Sequence, residues 1–385
     1  MINEYQCLNW WIMESGNSPT IEQPAQQKNK RRWFQYSLCT LMIFVTFVAF
    51  ACSWFAVKLQ QARRQREVVD AIKMLGGDVG YDYEFDASGY QIENAVPPGP
   101  SCVRNLLGDD FFINVDQVWF PSISDIELTF FKEHLQPKNL FFIDINNRKM
   151  SLEPLKRLTR LKHLSLRDFQ ITDDELKNLE GLTQIQSLEL LGNDITDTGF
   201  QYIAGFTQLE SLNLPNAKIT DTGLEKLKRL TKLQSLNLGC GSNITNSGLV
   251  HIKRLSQLIW LNLGYTKIND AGIEYLRGMS QLQNLSLDGT QIGDEGLEKI
   301  KGLTKIRMLV INATKITDAG LVNLKALPQL QILSIADTDI TDAGLEHLKG
   351  MSQLIELYVS NTKVTDGGVE EIKRSLPNLS IIRYK

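Results

Sequence analysis

Residues 303–326 read LTKIRMLVINATKITDAGLVNLKA, and the spacing of their apolar positions changes halfway along. In the first half Ile306, Leu309 and Ile311 end in alternation, as Leu282, Leu285 and Leu287 do one copy earlier. That is the pattern of a short strand with one buried face. In the second half Leu321 and Leu324 stand at helical spacing, and Thr317 and Asp318 before them are residue types that cap helix N-termini. Gly320 sits in the first helical turn, and its equivalents are Gly199, Gly223, Gly248, Gly272, Gly296, Gly344 and Gly368. Their spacing is 24 residues with a single interval of 25, so one strand–turn–helix unit has been copied in tandem.

A single copy buries too little to offset the entropy of ordering its backbone, so stability belongs to the stack. Strands packed about 4.8 Å apart on one side, with bulkier helices on the other, bend that stack with the strands innermost. Regular copies begin at Leu158, Leu182, Phe206, Leu230, Leu255, Met279, Leu303, Leu327 and Met351. Val115, Val118, Phe120, Ile123 and Leu128 fit a degenerate first copy, and Leu140, Ile143, Ile145, Met150 and Leu155 a shortened second. The final LPNLSIIRYK supplies a strand without a helix. The recurring glycines are expected where a Cβ would strike the adjacent coil. Thr266, Thr290, Thr314, Thr338 and Thr362 form a second ladder, whose hydroxyls are expected to bond loop carbonyls of a neighbouring coil. Gly181, Gly205, Gly278, Gly302 and Gly350 close their units and read as helix C-terminal signals.

Ahead of the array, residues 38–57 (LCTLMIFVTFVAFACSWFAV) carry no charge. At about 1.5 Å per residue they match a bilayer core about 30 Å thick. A cleaved signal peptide is the competing reading, but its apolar region is shorter and ends in small residues. A lipidated Cys52 is a further alternative, with Phe50 and Ala49 unsuited to it. Lys28, Lys30, Arg31 and Arg32 precede the span; Lys58, Arg63, Arg64 and Arg66 follow it. The positive-inside comparison is therefore tied. A short basic tail ordinarily stays in the cytoplasm, which predicts repeats on the extracytoplasmic side of a bacterial inner membrane.

The predicted divisions are 1–33, a disordered tail with a basic end; 34–59, a transmembrane helix; 60–110, a juxtamembrane helix and N-terminal cap; and 111–385, the repeats. In the cap, Ala62, Val69, Ile72, Met74 and Leu75 are expected on a helix ended by Gly76 and Gly77. Val79, Tyr81, Tyr83 and Phe85 follow as a strand, and Ser101 is a possible cap for a short helix ending at Gly108. Of the five cysteines only Cys102 and Cys240 belong to the soluble part, about five coils or roughly 24 Å apart. A disulfide is excluded at that separation.

These residues resemble the leucine-rich repeat superfamily, and I-T-D-x-G-L is most similar to its ribonuclease-inhibitor-like and F-box-associated subclasses. The resemblance covers about 111–385 and implies a curved α/β solenoid, a parallel sheet on its concave face and helices on its convex face. RRWFQYSL, LGGDVGYDYEFD and LLGDDFF resemble bacterial membrane-anchored leucine-rich repeat proteins of unknown role. No F-box precedes the repeats, so an adaptor role in ubiquitin ligation is not implied. Thr also replaces the usual Asn or Cys at the ladder position, which Asn193 keeps.

The chemistry searched for in the sequence does not converge. His134, His163, His251 and His347 are scattered, the last two in one helix slot four units apart, at least about 19 Å from each other. They cannot share a metal. The segment 239–244, GCGSNI, fails the dinucleotide pattern and instead holds the extra residue as a loop bulge. Asn243 and Asn312 match glycosylation sequons that the repeat generates by itself. No cofactor or metal is expected. A net charge of −3 argues against nucleic acid.

The concave face is left as the candidate site. Most of its row is Ser and Asn, against which Met308, Val310, Ile332 and Tyr358, with Trp260 two coils earlier, form an apolar stripe. It is either a partner-binding hot spot or drift on a solvent face. His163, Arg167 and Glu189 mark a more charged end. The reading is a single-span, non-catalytic module binding an unidentified protein or other macromolecule. The alternative is an architectural spacer or envelope component. An enzyme with an appended catalytic domain is disfavoured, since under 70 residues are expected between span and array.

Overall fold

The structure, a computed structural model, describes residues 38–85, 91–120, 137–143, 149, 151–192, 194–241 and 243–384. The N-terminal tail, His134, Ile123, Leu128, Ile145, Met150 and Asn193 lie outside the described residues. The described residues divide into two units, with the boundary between Ala56 and Val57. Helix α1 (Leu38–Met74) is one uninterrupted helix, long and apolar enough to cross a membrane. Its residues 40–57 are exposed.

In the second unit α1 packs through Ala62, Val68, Val69 and Ile72, all buried. Met74 and Leu75, expected on that face, are exposed because the helix ends there. Gly76 adopts φ 76° and Gly77 donates to the Ile72 carbonyl at 2.9 Å, closing the last turn. Strand β1 (Asp78–Tyr81) stops two residues short of Tyr83, where the chain turns, and Phe85 pairs only as a bridge with Gln91. Pro100, not Ser101, is the N-cap of α2 (Ser101–Leu107); Ser101 is its first helical residue. Cys102 is exposed on that helix and Cys240 in a loop, both free thiols.

The described residues contain thirteen strands in one sheet, ordered as in the chain. β1 is antiparallel to β2 (Val115–Phe120), and every later pairing is parallel. β3 (Asn139–Ile143), β4 (His163–Arg167) and β5 (Ser187–Leu191) have five residues each. The remaining strands have three: β6 (Ser211–Asn213), β7 (Ser235–Asn237), β8 (Trp260–Asn262), β9 (Asn284–Ser286), β10 (Met308–Val310), β11 (Ile332–Ser334), β12 (Glu356–Tyr358) and β13 (Ser380–Ile382). Each middle leucine of β6 to β12 is essentially inaccessible and stands in register with the next. One hydrophobic core therefore runs from Val68 to Leu379. Coil stacks on coil, as a unit too small to own a core requires.

The glycine ladder does mark close approach, and its partner is a specific carboxylate, replaced by an amide at Gly272. A Cβ on Gly296 would lie 2.6 Å from Oδ1 of Asp270 in the preceding coil, and the equivalents of Gly296 are as tight or tighter. The crowding atom belongs to Asp173, Asp197, Asp221, Asn246, Asp294, Asp318 or Asp342 at the other seven positions. Each of these is the first residue of its helix, not its cap.

The carboxylate reaches forward. Asp318 accepts from the Thr341 backbone N–H at 2.8 Å and its Oγ1 at 2.6 Å. Thr341 in turn caps its own helix by accepting from the Ala343 N–H at 3.1 Å. The same joint links Asp173 to Thr196, Asp197 to Thr220, Asp221 to Thr245, Asp294 to Thr317 and Asp342 to Thr365. It weakens where Asn246 meets Asn269 and where Gly293 offers Asp270 only a backbone N–H.

Two expectations are corrected. The threonine hydroxyls of the second ladder donate within their own coil: Thr266 to Leu263 O at 2.6 Å, Thr290 to Leu287 O at 2.5 Å, Thr314 to Ile311 O at 2.7 Å. Neighbouring carbonyls are already satisfied by backbone, as where Leu287 N–H donates to Val310 O at 2.8 Å. Of the unit-closing glycines only Gly350 is left-handed, at φ 90°. The others lie at tight closures such as Leu303 N–H to Ile300 O, 2.8 Å, which need no left-handed residue.

The left-handed backbone lies elsewhere, once per coil, just past the strand. Asp168, Gly192, Asn216, Cys240, Tyr265, Gly289, Ala313, Asp337 and Asn361 all have positive φ. The N–H of Tyr265 reaches Asp288 O at 2.6 Å, and that of Ala313 reaches Ala336 O at 2.9 Å, so this conformation stitches loops together. The extra residue of the 25-residue coil falls between Cys240 and Ile244, where the turn closes from Ile244 N–H to Gly241 O at 3.0 Å.

Candidate functional site

In every three-residue strand the middle side chain points to the core and the flanking two face outward, half-exposed in most coils. Two outward rows result. One runs Gln117, Asn139, His163, Ser187, Ser211, Ser235, Trp260, Asn284, Met308, Ile332, Glu356 and Ser380. The other runs Trp119, Phe141, Ser165, Glu189, Asn213, Asn237, Asn262, Ser286, Val310, Ser334, Tyr358 and Ile382.

Met308 and Ile332 are direct register neighbours, and Val310 shares the strand face of Met308. Tyr358 lies diagonal to Ile332, within reach of large side chains, and its direct neighbours are Ser334 and Ile382. Those four side chains therefore form one patch, and Ile382 extends it. Trp260 stands apart, separated from Met308 by Asn284. The Tyr358 hydroxyl donates to Glu356 Oε2 at 2.8 Å, and this bond, ahead of burial, raises its pKa.

The charged end is a closed network. Glu189 accepts from Ser165 Oγ at 2.7 Å, from Arg167 Nε at 3.0 Å and from Asn213 Nδ2 at 2.8 Å, tying three strands. Buried Oδ1 of Asn213 accepts no hydrogen bond among the described residues. His163 is half-buried, and burial, then nearby Lys162, lowers its pKa so that it is neutral at pH 7. Much of the polar row serves the turns that follow: Asn237 accepts from Gly239 N–H at 2.9 Å and Asn262 from Gly264 N–H at 2.8 Å. Asn312 accepts from Ser334 Oγ at 2.6 Å.

An aromatic group at the N-terminal end escapes the sequence reading. Trp119 and Phe141 stack at 5.8 Å with planes 10° apart, and Phe85 tilts against Trp119 at 6.1 Å. Their positions in the outward row were the available signal, obscured because the first two copies are degenerate. Tyr81, stacked on Tyr83 beside them, has its pKa raised to about 12 by burial and then by Asp110. His251 and His347 lie on the helix side, in the Asn246–Ile252 helix and at the end of the Asp342–Glu346 helix. Among the described residues no group of three or more His, Cys, Asp or Glu side chains could hold a metal ion.

A family model for the Leucine Rich repeat matches residues 207–228, 280–301 and 327–349. Among solved structures the chain is similar to internalin C2 (inlC2) from Listeria monocytogenes, at 29% identity over 56% of this chain and 84% of that one, with a TM-score of 0.42. It is also similar to an internalin (inlF) from Listeria monocytogenes, at 22% identity over 70% of this chain and 85% of that one, with a TM-score of 0.41. No curated protein matches the chain. The strand–loop–helix coil and the matched copies identify the repeats as leucine-rich repeats, and the array as their solenoid.

Proposed function

We propose that this leucine-rich repeat chain is a membrane-anchored, non-catalytic interaction module that seats a macromolecular partner on the outward face of its sheet. The observation that carries the reading is the patch of Met308, Val310, Ile332 and Tyr358, half-exposed on three consecutive strands in rows otherwise dominated by Ser and Asn. Apolar surface left in water forgoes about 25 cal/mol per Å², which a docked partner would recover. Parallel strands closer together than their helices make that face the concave one, suited to a convex partner. Trp260 supplies a separate aromatic platform, and His163, Arg167 and Glu189 a polar margin. Residues 38–57 provide the single span, with the repeats on the extracytoplasmic side of a bacterial inner membrane.

The competing reading is an architectural spacer without a discrete ligand. Full-length chain carrying Met308→Asp, Val310→Asp and Tyr358→Asp is compared with wild type by crosslinking in native membranes. Loss of one or more crosslinked partners with the fold retained is expected. An unchanged partner set in a folded variant would remove the sheet face as a binding site and leave the spacer.

A further inference from the structure

On the helix side a cleft of about 410 Å³ opens between three successive coils, and it is rich in hydrogen-bond donors. Lys226, Lys228 and Arg229 line it together with Gln201, Tyr202 and one acid, Glu180. Lys228 is engaged with Glu225 at 2.7 Å. Neither Lys226 nor Arg229 has a carboxylate within 4.0 Å among the described residues, and Glu180 pairs with neither. Tyr202 packs against the core, and its hydroxyl has no hydrogen-bond partner among the described residues. The following helix, Asn246–Ile252, contributes no acid in its first turn, unlike the other repeat helices.

We infer that this cleft binds a phosphate-type oxyanion. At some other helix ends the cation is neutralised locally, as Arg277 is by Glu274, Lys301 by Glu298 and Lys349 by Glu346, whereas Lys253, Arg254 and Lys325 have no such ion pair among the described residues. Here two cations stay unpaired beside an unpartnered phenol, in a concavity large enough for a small ligand. Arg229 offers a planar fork, Lys226 a mobile point charge and Tyr202 a directed O–H, which together suit a tetrahedral oxyanion. Lys226 and Arg229 stand three residues apart on one helical turn, where like charges repel, and a bound anion relieves that repulsion. The oxyanion could come from a free phosphate or from a phospholipid headgroup; the cleft chemistry is the same.

The test uses full-length chain in phosphatidylcholine nanodiscs, titrated with inorganic phosphate and separately with a short-chain, water-soluble phosphatidylglycerol. Saturable binding of at least one probe is expected, with phosphatidylglycerol alone assigning the headgroup as the source. The double variant Lys226→Gln, Arg229→Gln should weaken it by about tenfold or more, and Tyr202→Phe by about threefold. Lys301→Gln with Lys325→Gln, on later coils, should change it less than about twofold. Circular dichroism and the melting temperature verify that each variant is folded. Failure of both probes to saturate, or equal weakening by the later-coil variant, overturns the assignment.

Discussion

Substituting Gly320 by Ala tests the joint between coils directly. The added Cβ would sit 2.9 Å from Asp294 Cγ and 3.2 Å from its Cα, and closer still to Oδ1. All three neighbours belong to one residue of the preceding coil. Overpacking of this kind costs about 1–3 kcal/mol, and Ala returns about 0.8–1 kcal/mol of helix propensity over Gly. At these distances the upper part of that range, about 2–3 kcal/mol, applies, and the net expectation is a loss of about 1–2 kcal/mol. Asp294→Ala alone removes the acceptor for Thr317 N–H at 2.9 Å and Oγ1 at 2.7 Å. Because both donors are exposed and water replaces the carboxylate, that change costs about 1 kcal/mol. In the Asp294→Ala background the carboxylate is gone, so Gly320→Ala should become nearly neutral. The cycle therefore predicts a favourable coupling of about 1–2 kcal/mol. Urea unfolding of the full-length chain in detergent, followed by tryptophan fluorescence, measures all four corners. A neutral or stabilising Gly320→Ala in the wild-type chain, or a cost that survives Asp294→Ala unchanged, refutes the crowding argument.

Leu309→Ala, at the centre of β10 and fully buried, should cost about 2–5 kcal/mol in the same unfolding assay; a cost below about 1 kcal/mol would mean the coil collapses around the cavity. For His163 burial favours the neutral ring, so the folded-state pKa lies below the unfolded one. Its contribution is complete above the unfolded pKa and is lost as pH falls through the folded value. Lys162, which opposes protonation, and Glu210 and Asp116, which favour it, are the charges facing it. Unfolding midpoints measured between pH 7.5 and 5 should fall less steeply for His163→Asn than for wild type, and parallel slopes would discount the histidine.

The repeat period, the strand and helix halves and the inward leucines were all legible, because each depends on local spacing that every copy restates. The glycine ladder was legible as close approach but not as a contact with Asp. A Thr–Asp pair announces a helix start without revealing that Asp318 serves Thr341 of the following coil. The threonine ladder misled for a related reason: periodicity shows that a hydroxyl recurs, not which carbonyl lies nearer. The left-handed position recurs as faithfully as the glycines, yet residues as unlike as Cys240, Tyr265 and Ala313 occupy it. Only Asp168, Gly192, Asn216, Gly289, Asp337 and Asn361 hint at it by type. On the sheet face, Met308, Val310, Ile332 and Tyr358 could be grouped from the period alone. The Trp119–Phe141 stack could not, since its two members are 22 residues apart, off the 24-residue period from which the rows are read.

The carboxylate joint has a direction. Each of the six Asp–Thr links runs from an Asp to a Thr later in the chain, so in this joint each coil donates to an acceptor on its predecessor. Trimming from the carboxyl end leaves a carboxylate in water, where it is content. Trimming from the amino end strips a threonine of its charged acceptor, while a cut at either end exposes core. A nascent chain emerging amino end first thus meets each new coil with an anchor already set, and the array can lengthen on the ribosome one rung at a time.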